Sequence, residues 1–237
     1  MSGTVVIDCF PEHAARYQNW DAIVVVDVIR ATTTATTAVS LGRRVFPAQT
    51  TDEASIVAST LTEPLLVGEL GGNMPYGFDI TNSPAEVARR TDTHRPMVLV
   101  SSSGTQLLLA PFGTATVYIA CLRNFSAAAR HLRGRHERVA ILGAGTRGQF
   151  RREDQIGCAW VAEALMASGY GAEDSQTGQY VSRWSRIGLD VIRGGRSAEY
   201  LVKSGQQEDL EFILSHVDDL AVVPALMSHE LIDASPR

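Results

Sequence analysis

A chain of 237 residues and 25.6 kDa can bury a sizeable core without disulfides or a structural metal. Hydrophobic residues at 45% and charged residues at 20% exclude a disordered or fibrous protein, and a net charge of −5 excludes nucleic-acid binding through bulk charge. Cys9, Cys121 and Cys158 are scattered with no C-x-x-C pair, which excludes a secreted disulfide framework and a structural zinc site.

Along the chain, MSGTVVIDCF lacks the basic and long apolar regions of a signal peptide, and no apolar run approaches 18 residues. The expectation is a cytoplasmic protein with no membrane span. An apolar run at 22–26 ends in Asp27 and a turn through Arg30, and a helical pattern starts at Ala31. A short strand at 64–68 ends in Glu69 and two glycines. Asn82-Ser83-Pro84 suits a helix start, with Ser83 as N-cap and Pro84 at the first helical position. The run 97–100 leads into Ser101, Ser102, Ser103, Gly104 and Thr105 and then a helix. The run 116–120 leads through Cys121, Leu122, Arg123 and Asn124 into a helix at 125–132. The run 138–142 leads through Gly143-Ala-Gly145-Thr146-Arg147-Gly148 into a long helix around 154–168. Residues 176–180 read as a loop. Residues 182–202 read as helical but broken at Gly194-Gly195, and 220–223 as a last strand closed by Pro224.

Continuous Val/Ile/Leu runs suit strands buried on both faces, and their alternation with helices implies an α/β fold with a largely parallel sheet. The expected architecture has three layers, α/β/α, in one domain over residues 1–237, with two lobes dividing near 90–135 as the other partition. In such sheets ligands bind beyond the carboxyl ends of the strands, so the polar turns are expected to converge on one site.

Lys203 is the only lysine among 21 basic residues, so a Walker A loop and lysine Schiff-base chemistry are out. Anions must be held by arginine forks, hydroxyls and backbone amides. The serine run 101–103 with Gly104 and Thr105, and the threonines 32–34, suit an oxyanion or simple helix capping. Gly143, Gly145 and Gly148 match G-x-G-x-x-G, but no acidic residue near position 168 ends a following strand, so a dinucleotide is not favoured. Arg30, Arg123 and Arg147 fall in converging turns, as a multiply charged anion requires. Asp27 and Glu69 at strand ends, with Glu153 and Asp154 opening the long helix, are the donor type Mg²⁺ takes together with substrate oxygens and water. No cysteine is followed by arginine in C-x5-R spacing, and Ile29 stands where a D-x-D phosphatase has its second aspartate. The six histidines show no metal spacing.

Asp27-Val-Ile-Arg-Ala-Thr, Gly68-Glu69, Gly77-Phe-Asp79 with Asn82-Ser83-Pro84, Ser101–Thr105, Cys121–Asn124 and Gly143–Gly148 with Glu153-Asp154 occur in this order. The set resembles the 2-phosphosulfolactate phosphatase (ComB-like) family over roughly residues 4–224, with Thr81 standing where the family pattern has glycine. The resemblance implies the family's α/β fold and Mg²⁺-dependent hydrolysis of (2R)-2-phospho-3-sulfolactate to 3-sulfolactate and phosphate, a step of coenzyme M biosynthesis. A small polyanionic substrate is then expected, with no nucleic-acid or membrane partner and room for a homodimer. In this reading Asp27, Arg30, Arg147 and Glu153 are catalytic, and Asp27, Glu69 and Asp154 hold the metal. Ser101, Ser102, Ser103, Gly104, Thr105, Arg123, Asn124, Gly145 and Thr146 bind substrate. Two other activities fit the residues: hydrolysis of another phosphorylated hydroxy acid, and non-catalytic binding of a small anion.

Overall fold

The computed structural model describes residues 3–145, 148–185 and 187–235. The strands are β1 (Thr4–Asp8), β2 (Ala22–Val26), β3 (Val45–Ala48), β4 (Leu65–Gly68), β5 (Met97–Val100), β6 (Thr116–Ala120), β7 (Arg138–Gly143), β8 (Gly171–Ala172), β9 (Pro224–Met227) and β10 (Glu230–Asp233). The helices are α1 (Ala31–Ser40), α2 (Thr51–Ser59), α3 (Pro84–Arg89), α4 (Gly104–Leu108), α5 (Phe125–Leu132), α6 (Arg152–Ala167), α7 (Ser175–Trp184), α8 (Asp190–Arg193), α9 (Arg196–Lys203) and α10 (Gln207–Ser215). The fold is α/β, with one mostly parallel sheet between helices, as the apolar runs predict. No described helix is long and apolar enough to cross a membrane.

The sheet order is β4-β5-β3-β10-β9-β6-β2-β7-β1-β8. β4, β5 and β3 are mutually parallel, as are β6, β2, β7, β1 and β8. Between the two sets sits the antiparallel hairpin β9–β10, antiparallel to β6 on one side and to β3 on the other. Three successive reversals make β3, β4 and β5 run against β6 and β2. The strand ends therefore do not share one edge in the simple sense the sequence suggests.

They meet because the two halves share a core. Ile23, Val25 and Ile119 from one half and Leu65, Val67, Met97 and Leu99 from the other pack into one cluster with Ala35 and Ala38 of α1 and Leu107 and Leu108 of α4. On the opposite face of β2, Val24 and Val26 pack with Leu132 of α5 and Ile156, Val161 and Leu165 of α6. Each central strand is thus apolar on both faces. Gly157 permits the close approach of α6, since a Cβ there would lie 2.8 Å from Val26 Cγ1.

The stretch 182–202, expected to be helical with one break at Gly194-Gly195, is also interrupted at 187–189, between α7 and α8, and two further segments differ from expectation. Residues 176–180 are helical, within α7, because Asp174 caps it: its side chain accepts from Thr177 N at 2.7 Å. Residues 220–223 do not form a strand. Their polar backbone bonds elsewhere, with Leu220 N donating to Arg123 O and Val222 O accepting from Asn124 Nδ2, and the strand begins at Pro224. Proline is tolerated at a strand's first residue. Ser83 caps α3 as expected, accepting from Glu86 N at 3.1 Å.

Candidate active site

β2 delivers Asp27 to the site, and the threonines that follow fix its loop. Thr32 Oγ1 accepts from Asp27 N and donates to Asp27 O, while Thr33 Oγ1 donates to Val28 O. These hydroxyls are spent on their own backbone rather than on an anion. Ser101 and Thr105 lock their turn reciprocally, each side-chain oxygen accepting the other's N–H at 2.9 Å. The turn must carry glycine at 104, because a Cβ there would collide with Asp27 Oδ2 and Ala31 Cβ. The loops after β2 and β5 are therefore in van der Waals contact.

Glu69 and Asp154, expected as metal ligands, each accept hydrogen bonds from loop donors. Glu69 Oε1 accepts from Ser102 N at 2.7 Å, and Oε2 from Gly72 N at 2.6 Å and Ser102 Oγ at 3.1 Å. Asp154 Oδ1 accepts from Val28 N at 2.9 Å and Oδ2 from Gly145 N at 3.2 Å, tying the loop after β2 to the loop after β7. Among the described residues, no group of three His, Cys, Asp or Glu side chains is placed to hold a metal ion.

Asp27 and Glu153 are the other two carboxylates of the site. Asp27 is pushed up to about 7, first by burial and then by the charges of Glu69 and Glu153; the Ala31 N–H and Arg30 oppose the rise. Burial, Asp27 and Glu153 raise Asp154 well above the usual carboxylate range. Glu153 is 1% exposed, and its Oε1 has no hydrogen-bond partner among the described residues. A buried, partnerless carboxylate oxygen beside a second carboxylate is costly unless a cation or a donor joins it. A carboxylate with an unpartnered oxygen, near a second one, fits Mg²⁺, which takes one or two carboxylates and completes its shell from substrate and water.

Arg30 and Arg123, of the expected arginine cluster, each pair with a carboxylate. Arg30 Nη1 donates to Asp209 Oδ2 at 2.5 Å, with both side chains 4% exposed. Asp209, on α10, also accepts from Ser83 Oγ at 2.5 Å and Ala85 N at 3.2 Å. Arg123 makes a bidentate pair with Asp219 at 3.0 and 2.6 Å, donates to Thr37 Oγ1, and lies over the Phe212 ring. Asn124 accepts from Cys121 N and donates to Val222 O. The loop after β6 therefore binds the segment before β9. Thr146 and Arg147 lie outside the described residues.

A cleft of about 600 Å³ opens over Glu153, walled by Arg151, Arg152, Gly194, Gly195 and Arg196. A smaller one of about 350 Å³ reaches Ser102 and Ser103, and both include Gly148. Asp209 and Arg196 are the residues that sequence reasoning missed; only the Gly194-Gly195 break marked the second of them.

The sequence model described as 2-phosphosulpholactate phosphatase matches residues 9–229. The chain belongs to this family. Similar relatives include a Deinococcus radiodurans protein, 38% identical over 178 residues (74% of this chain, 71% of the relative). A Synechococcus sp. (strain WH7803) protein is 30% identical over 221 residues (90% of each), and one from Symbiobacterium thermophilum is 31% identical over 216 (88% and 92%). Each carries the name "Probable 2-phosphosulfolactate phosphatase". Membership of the 2-phosphosulpholactate phosphatase family makes the chain a phosphoric monoester hydrolase.

Proposed function

We propose that this chain hydrolyses 2-phospho-3-sulfolactate to 3-sulfolactate and phosphate with Mg²⁺. The observation that carries the reading is Glu153, a buried carboxylate whose Oε1 lacks a partner among the described residues, on the lining of an arginine-walled cleft and within electrostatic reach of Asp27. The substrate combines phosphate, carboxylate and sulfonate on three carbons, and a cationic wall over a carboxylate floor suits such a polyanion only with a divalent ion between them.

Asp27 and Glu153 would hold the ion, which when bound neutralises phosphoryl oxygens and eases charge build-up on them. The rest falls to side chains of this protein. Arg151, Arg152 and Arg196 offset the substrate's charge as it enters the cleft. Glu153 Oε1 is the free acceptor that orients the attacking water. As the water oxygen bonds to phosphorus, the ester P–O bond breaks and the leaving alkoxide takes up the proton the water gives up. Gly104 keeps the start of α4 against Asp27 without displacing its carboxylate.

The test is phosphate release by the purified protein from 2-phospho-3-sulfolactate and from a panel of other phosphorylated hydroxy acids, with and without a chelator. Release from phosphosulfolactate that chelation abolishes and Mg²⁺ restores supports the reading. Chelator-insensitive turnover overturns the metal, and faster turnover of another panel member overturns the substrate.

A further inference from the structure

The arginines of the larger cleft differ from the chain's buried ones. Arg30, Arg43 and Arg123 each face a carboxylate, whereas Arg151, Arg152 and Arg196 form no ion pair among the described residues. Arg152 Nη1 donates to Val191 O at 3.2 Å, and Arg196 Nη1 to the Gln149 side chain. Arg151, a half-buried residue, has no side-chain partner among the described residues.

Backbone geometry sets two of these beside Glu153. Arg151 is the N-cap of α6, two residues before Glu153. Gly195 is the N-cap of α9, and a Cβ there would stand 3.4 Å from Glu153 Oε2 and 3.0 Å from Ile192 O. Glycine therefore lets α9 begin against Glu153, and Arg196 is its first residue. Arg151, Arg152 and Arg196 line one cleft of about 600 Å³ together with Glu153, and like charges gathered in one cleft repel one another until anionic groups come between them. A phosphate bound over Glu153 leaves the Arg151 fork and the remaining donors of Arg196 to further acid groups on the same small molecule.

We infer that Arg151 and Arg196 are specificity-determining residues, which hold the non-reacting carboxylate and sulfonate of the substrate while its phosphate lies over Asp27 and Glu153. This rests on the phosphatase reading above, and it adds which residues select a polyacid over a simple phosphate ester.

Two measurements on R151Q and R196Q test it. In the first, calorimetry follows binding of 3-sulfolactate, which has both acid groups and no phosphate. The intact protein is expected to bind it and each variant to bind about 10- to 100-fold more weakly, the size of a lost charge-assisted hydrogen bond. In the second, kcat/KM for phosphosulfolactate falls by a similar factor, mainly through KM, and by clearly more than kcat/KM for ethyl phosphate does. Equal losses on both esters would show that these arginines hold the phosphate and overturn the assignment, as would unchanged sulfolactate binding. Should the intact protein fail to hydrolyse phosphosulfolactate, the reaction reading falls, and sulfolactate binding still decides the role of the arginines. Melting temperatures within about 2 °C of the parent would rule out misfolding as the cause of either loss.

Discussion

Replacing Asp27 by Asn is expected to abolish turnover and, in divalent-free buffer at pH 8, to raise the melting temperature. The folded-state value of about 7 lies above the ordinary 3.8, chiefly because the carboxyl is buried near Glu69 and Glu153. In the fold Asp27 therefore keeps its proton where the unfolded chain has lost it. Stability falls as pH rises from about 4 to 7 and levels off above that. The gap of about three units, at 1.36 kcal/mol each, sets a ceiling of about 4 kcal/mol at pH 8. Asn carries no such cost, and its amide oxygen still accepts from the Ala31 N–H that Asp27 engages. For a chain of this length 1 kcal/mol moves the midpoint by about 2–4 °C, so a gain of about 5–15 °C is expected. Differential scanning calorimetry at pH 8 and pH 4 checks the size and the sign, since the gain must shrink to about 2 °C or less at pH 4. Adding Mg²⁺ at pH 8 should stabilise the parent more than D27N. An equal or lower midpoint for D27N at pH 8, or a pH-independent difference, would refute the reasoning.

Gly104→Ala should cut kcat by at least about 100-fold, because the added methyl collides with Asp27 Oδ2; phosphate-release kinetics on a variant shown to be folded by circular dichroism check this. Asp209→Ala strands the Arg30 guanidinium without its buried partner and removes the acceptor for Ser83 Oγ, so a loss of about 3–5 kcal/mol in urea unfolding is expected.

Much of the framework is legible because its strands are buried on both faces: the Val/Ile runs of β2, β5 and β7 announce themselves, as do the caps at Ser83 and the turn at Ser101–Thr105. β3 does not, since it carries Pro47. That residue is tolerated because β3 pairs with β10 only at Val45, so no ladder bond on that edge is lost at Pro47. At the site, carboxylates at 27, 69, 153 and 154 are visible in the sequence, but their division of labour is not. Glu69 and Asp154 become loop ties because N–H groups from Ser102, Gly72, Val28 and Gly145 reach them, and nothing local to either acid encodes those donors. Arg30 and Arg123 likewise look like ligand forks until Asp209 and Asp219 arrive from 179 and 96 residues away.

The hairpin β9–β10 joins two halves whose edge strands, β6 and β3, lie far upstream: Ala225 meets Tyr118 and Leu231 meets Val45. A chain emerging from the ribosome completes both halves before it possesses the piece that seams them together. Until residues 224–233 appear, each half carries a naked strand edge open to pairing with other chains. The middle of this sheet, ordinarily where folding would be expected to begin, is the last part of it to close.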